Sequence, residues 1–173
     1  MDISNYDNNY SDYNFISYVD NLFVQVNLAY MKKEIDNIDH FVGDDIYNLL
    51  KVKLEKLGNN TEMFDEMNVK STEIINKKVE DNNIIIDVKL VSRSVNYIID
   101  SSGKVISGDS NNRIEKTNIL TFVKKVNAVN TIARHCPSCG GNIDVNRNGK
   151  CPYCGSIYDL ENHDFVLVKW EVL

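Results

Sequence analysis

The chain has 173 residues, 43% of them hydrophobic and 25% charged, with a net charge of −6. This is enough apolar material for one cored domain plus a small module, and the acidic balance argues against sequence-independent nucleic-acid binding, which runs on clustered Lys and Arg. No stretch approaches the roughly 20 apolar residues of a membrane span, and no basic region followed by an apolar run marks a signal peptide. A cytoplasmic location, or the cytoplasmic face of a membrane, is therefore expected.

Residues 1–12 are rich in Asn, Asp and Tyr without apolar periodicity and read as a mobile tail, with Ser11 or Asp12 available to cap a helix. From Tyr13 to about Ile38, Phe15, Val19, Leu22, Phe23, Val26 and Tyr30 recur at three- and four-residue steps, which predicts that helix. His40 reads as a helix-end residue. Asp44 can then cap a second helix carrying Ile46, Leu50 and Leu54, ended by Gly58-Asn59-Asn60.

After Glu66 the pattern turns to strands. Asp81-Asn82-Asn83 is a turn signal between residues 67–80 and a long β-rich run from Ile84 to Ile99. Ile84, Ile86, Val88 and Leu90 share one face, but the next apolar residues, Val91, Val95, Tyr97 and Ile99, have the other parity. Side chains alternate with period two, so this slip predicts a bulge or strong bend and hence a curved sheet. Lys104–Gly108 is short, Arg113–Val129 reads as a strand, and Phe165–Leu173 closes the chain with Val166, Val168, Trp170 and Val172 alternating with charges. Helices followed by strands argue for an α+β fold.

The four cysteines lie within 19 residues, as Cys136-Pro137-Ser138-Cys139-Gly140 and Cys151-Pro152-Tyr153-Cys154-Gly155, with eleven residues between the inner pair. Two such knuckles predict a tetrahedral thiolate site for one structural zinc ion in a reducing compartment, with iron as the other ion such knuckles hold. Four thiolates leave no open position for substrate, so a structural role is expected. Asn148-Gly149 is a hairpin turn between the knuckles, and the whole reads as a zinc ribbon inserted before the last strand. His135 and His163 flank it as solvent-facing residues or neighbours of the ligands.

The runs Tyr97–Asp109, Thr121–Lys125, Ala133–Val145 and Gly149–Gly155 together resemble bacterial Tim44-like domains with an inserted zinc ribbon, over roughly residues 13–173 and most specifically from Tyr97 onward. The namesake is a subunit of the mitochondrial inner-membrane import motor. The resemblance implies a cone-shaped, nuclear-transport-factor-two-like or cystatin-like α+β fold, with helices packed on a curved antiparallel sheet. It divides the chain into a tail (1–12), a Tim44-like domain (13–130 and 159–173) and a ribbon (131–158). It also implies a binding or scaffold role in protein transport or membrane-associated assembly, with a polypeptide partner or a lipid surface.

Residues expected to line the mouth of the cone are Phe15, Leu22, Phe23, Val26 and Tyr30 from the first helix, and Leu120, Phe122 and Trp170 from the sheet. The bland reading of most of these is plain core. A second functional reading is an enzyme of the cone-fold isomerase or dehydratase type, with Asp87, Tyr97, Tyr18 and Tyr30 as candidate acid–base groups. A third is nucleic-acid binding through the ribbon. Arg134, Arg147 and Lys150 are few for that task, and Asp144, Asp159, Glu161 and Asp164 surround them.

Overall fold

The computed structural model describes residues 1–126, 153–154 and 164–173. The expected ribbon lies almost wholly outside the described residues: of the four cysteines only Cys154 falls inside, exposed at the surface beside Tyr153. His135 and His163 also lie outside them.

Helix α1 spans Asp12–Met31 and α2 Asp44–Leu57, followed by strands β1 (Thr61–Glu80), β2 (Asn83–Ile99), β3 (Val105–Gly108), β4 (Ile114–Lys125) and β5 (Val166–Val172). The strands form an antiparallel sheet in the order β1-β2-β4-β5, with β3 also paired to β2. The fold is thus α+β, as expected.

Ser11 caps α1, its hydroxyl accepting from the Asn14 N–H at 3.1 Å. The helix stops at Met31, short of the expected Ile38. Lys33 takes a left-handed conformation (φ 60°), its N–H bonds to Tyr30 O, and Glu34 N–H bonds back to Ala29 O. This is a Schellman end with lysine where glycine is usual, so no glycine announces it in the sequence. A short 3-10 turn at Ile35–Ile38 follows. His40 lies after this turn, its Nε2 3.3 Å from Asp39. In α2 the cap is Gly43, not Asp44; Asp44 and Asp45 fill the first turn, where carboxylates complement the helix dipole.

The β1–β2 hairpin turns on Asp81 and Asn82, both with positive φ (50° and 63°), the two-residue geometry that matches strand twist. Beyond it, β2 pairs with β4 without interruption from Asn83↔Lys125 to Ser94↔Ile114. The predicted slip after Leu90 does not occur there. The three register shifts of the hairpin sit at Asp65/Asn68, Val69/Ser71 and Ile74/Asn76, where β1 carries the extra residues, and Glu66 has a positive φ of 56° at the first of them. Bulges of this kind bend the strand that carries them. Along β2 the buried parity runs on through Ser92 and Ser94, and only at Val95 does the neighbouring parity also become buried. An apolar-only pattern misses two serines on the inner face.

Helix α1 lies along β1, tied by Lys77 to Asp12, Thr72 to Asp20 and Tyr30 to Glu62. Its apolar stripe covers the inner face of β2 and β4. The outer edge of β5 is partly covered by the chain before α2: Leu167 N–H bonds to Phe41 O, and Gly43 N–H to Leu167 O. Covering an edge in this way leaves fewer free backbone groups for stray strand pairing.

The N-terminal stretch differs from the expected loose tail. Ile3 is fully buried, a 3-10 turn forms at Ile3–Asn5, and Asp7 is buried against Lys124.

Candidate functional site

The inner face of the sheet changes character along its length. From one end, β2 presents Ile84, Ile86, Val88, Leu90, Ser92 and Ser94, while the facing positions of β4 are Lys124, Phe122, Leu120, Asn118, Lys116 and the exposed Ile114. Past the Leu90–Asn118 pair the floor becomes polar. Over this floor, between the C-terminal half of α1, α2 and β5, lies a cavity of about 120 Å³.

Its apolar wall includes Phe23, Val26, Leu50, Phe64, Met67 and Trp170, with the Phe23 and Trp170 rings 5.4 Å apart. Leu49 and Val172 also line it but are 46% and 58% exposed, so they form its mouth, with Lys53 beside them. Val52, three residues from Leu49 on α2, is also exposed.

The polar groups fall into two kinds. Asn118 is fully used: its Nδ2 donates to Leu90 O, Ser92 Oγ and Lys116 O at 3.2–3.3 Å, and its Oδ1 accepts from Trp170 Nε1 at 2.9 Å. Ser94 and Asn27, only 3% and 6% exposed, are different. Asn27 Nδ2 donates to Phe23 O at 2.8 Å, but neither Asn27 Oδ1 nor Ser94 Oγ has a partner among the described residues, and both residues line the cavity. Among the described residues the buried side-chain atoms without a partner are Asp39 Oδ1 and His40 Nε2, so the Asn27 and Ser94 oxygens are reached by solvent through the cavity and offer their hydrogen-bonding capacity to whatever enters it.

A chain of contacts crosses one side of the cavity. The Tyr30 hydroxyl donates to Glu62 Oε2 at 2.7 Å, Asn96 Nδ2 donates to Glu62 Oε1 at 3.2 Å, and Lys116 Nζ donates to Asn96 Oδ1 at 3.1 Å. Burial, then the Glu62 hydrogen bond, pushes the Tyr30 phenol well above its ordinary value. It stays protonated and holds Glu62 in place.

Of the residues expected to line a ligand cavity, the structure brings Phe23, Val26, Tyr30 and Trp170 together here. Leu22, Leu120 and Phe122 are sealed in the core. Phe15 lies at the other end of α1, its ring 4.9 Å from Phe165 and 5.6 Å from Phe122. Sequence reasoning missed Asn27, Ser92, Ser94, Asn118, Lys116 and Glu62. The available signal was the even parity that Ser92 and Ser94 share with Ile84–Leu90.

The four candidate acid–base residues are scattered. Asp87 is held on the outer face by Thr121 Oγ1 at 2.7 Å and Asn76 Nδ2 at 3.0 Å. Tyr97, toward the other end of β2, donates to Asp65. The Tyr18 hydroxyl donates to Phe165 O, and burial together with the nearby Asp164 raises its phenol far above the ordinary value. Only Tyr30 reaches the cavity, and a phenol held protonated cannot serve there as a base at neutral pH. Among the described residues no cluster of three or more His, Cys, Asp or Glu side chains is placed to hold a metal ion.

Two helices laid on an antiparallel sheet, with a cavity of mixed polarity between them, define a small α+β domain. The chain belongs to the Tim44-like domain family, whose model matches residues 1–132. The match takes in the N-terminal stretch and both helices and ends before Cys136, so the cysteine segment and β5 lie beyond it. No curated protein matches the chain closely enough to name a relative. No helix among the described residues is long and apolar enough to cross a membrane.

Proposed function

We propose that this chain is a non-catalytic Tim44-like scaffold that docks a polypeptide partner at the cavity mouth between α2 and β5, in protein transport or membrane-associated assembly. The observation that carries this reading is a cavity with unpartnered polar atoms on its floor and the exposed apolar residues Leu49 and Val172 at its entrance. Family membership supports the transport-related setting. Size favours a polypeptide over a whole lipid: about 120 Å³ is of the order of the roughly 150 Å³ cavity that holds one benzene molecule, so one side chain of ring size seated from the open mouth fits and a whole acyl chain does not. The setting is cytoplasmic or at the cytoplasmic face of a membrane.

A photo-cross-linking residue at Leu49, with one at exposed Ile75 on β1 as control, tests the reading in cells. Polypeptide adducts specific to the Leu49 position are expected. Adducts to lipid alone at that position would overturn it.

The four-cysteine reading belongs to the same proposal: Cys136, Cys139, Cys151 and Cys154 hold one structural zinc ion, on the strength of their spacing. Elemental analysis should find one zinc per chain. Replacing Cys136 and Cys151 by Ser should release it while leaving the cooperative unfolding of the helix–sheet domain largely intact. A visible thiolate-to-iron absorption band would replace zinc by iron.

A further inference from the structure

The anion and the cations that line the cavity are held unequally. Glu62 has both carboxylate oxygens engaged, by Tyr30 and Asn96. Lys116 is partly buried, spends one donor on Asn96 Oδ1, stands 5.7 Å over the Phe64 ring, and has no carboxylate in ion-pair range among the described residues. An ammonium has three donors, so two remain. Lys53 adds a second cation at the mouth, and Lys56 continues the same helix face. In a chain of net charge −6, this is a local reversal of sign.

We infer that the cavity takes a single apolar side chain of ring size from the docked polypeptide, and that an acidic group beside that anchor pairs with Lys116. The inference rests on the polypeptide-docking reading above and gives that partner its chemistry. The anchor packs between Phe23, Phe64 and Trp170, while Ser94 Oγ and Asn27 Oδ1 take polar atoms of the guest backbone or a water carried with it. Charge complementarity selects an anionic neighbour because the lining carries two lysines, Lys116 and Lys53, against the single carboxylate of Glu62.

Trp170 is the single tryptophan of the chain and lines the cavity, so its fluorescence reports occupancy directly. The probes, added to the full chain, are three blocked tetrapeptides: Gly-Phe-Glu-Gly, Gly-Phe-Lys-Gly and Gly-Ala-Glu-Gly. The Phe-Glu peptide should bind about tenfold or more tightly than either of the others, the scale of one charge-assisted hydrogen bond. Lys116→Met should abolish its advantage over Phe-Lys, and Lys116→Glu should reverse the order. Ser94→Phe, which fills the floor, should abolish the response to all three; the two Lys116 variants, at a partly exposed position, keep the test sound if that variant does not fold. Equal binding of Phe-Glu and Phe-Lys, a preference unchanged in Lys116→Met, or no response to any peptide would overturn the inference. Polypeptide cross-links at Leu49 that persist through such a result leave the docking reading standing, whereas lipid-only cross-links remove the docking reading itself. A Trp170 response to phosphatidylglycerol vesicles but not to peptides would likewise overturn the inference in favour of a lipid headgroup.

Discussion

The two ends of the groove between α1 and the sheet both bury polar and charged groups, but they treat them in opposite ways. Beneath the N-terminal half of α1, Lys124 is 1% exposed and pairs with Asp7 at 2.8 Å, and aromatic rings of Tyr10, Phe15, Phe122 and Phe165 close around that pair. Beneath the C-terminal half, Ser94 and Asn27 are also buried yet keep unpartnered atoms facing the cavity. A second depression, of about 230 Å³ and lined by Asp7, Tyr10, Tyr18 and Asp164, exists at the filled end, but it is more open to solvent. Burial of a polar group therefore does not by itself mark a binding site. The difference lies in whether the fold has already supplied the partner.

The most severe test of this contrast unpairs the filled end. Asp7→Ala strands a buried ammonium and should cost about 3–5 kcal/mol in urea denaturation. The double change Asp7→Leu with Lys124→Met should recover most of that loss, since a well-packed apolar pair substitutes for a buried ion pair at little cost. If Asp7→Ala is nearly neutral, the N-terminal stretch is not the fastening that its buried Ile3 and Asp7 imply.

Within the cavity floor the same contrast can be drawn between two residues of one sheet face. Asn118→Ala removes three donated hydrogen bonds and orphans the Trp170 indole N–H, and should cost about 2–3 kcal/mol. Ser94→Ala removes a hydroxyl that bonds to nothing among the described residues, and should stay within about 0.5 kcal/mol of the parent while weakening peptide binding. Equal stability losses for the two would show that Ser94 is structurally committed and that the floor is not held open for a guest.

The smallest effect concerns pH. Burial raises the Asp164 carboxyl above its ordinary value of 3.8, with Asp7 adding to the rise and the Phe165 N–H and Lys124 opposing it; the Tyr18 phenol faces the same spot. The folded state then binds this proton more tightly than the unfolded chain. Its contribution to stability is fully present below the ordinary carboxylate value and is lost as pH rises through the raised one. Asp164→Asn should therefore match the parent at low pH and become the more stable of the two as pH rises to neutrality, read as the difference between their denaturation midpoints. A gap that shrinks with rising pH would reverse the assigned sign.

Much of the architecture was legible locally. The three- and four-residue recurrence from Phe15 to Tyr30 specified which face of α1 is buried, the Asp81-Asn82 turn specified the hairpin, and Ile84–Leu90 specified an inner strand face, because each depends on spacing within a few residues. The cavity was half legible: Phe23, Val26, Tyr30 and Trp170 were named, but so were Phe15, Leu22, Leu120 and Phe122, since apolarity alone cannot tell a wall from a core. Where α1 ends, which strand bulges, and what happens to Lys124, Ser94 and Asn27 were settled only in three dimensions. Lys124 meets Asp7 across 117 residues of sequence, whereas Ser94 faces the cavity between α1, α2 and β5. Spacing along the chain was enough to say which faces turn inward. Which inward polar groups find partners was decided by the assembled fold, because those partners are brought by elements far away along the chain.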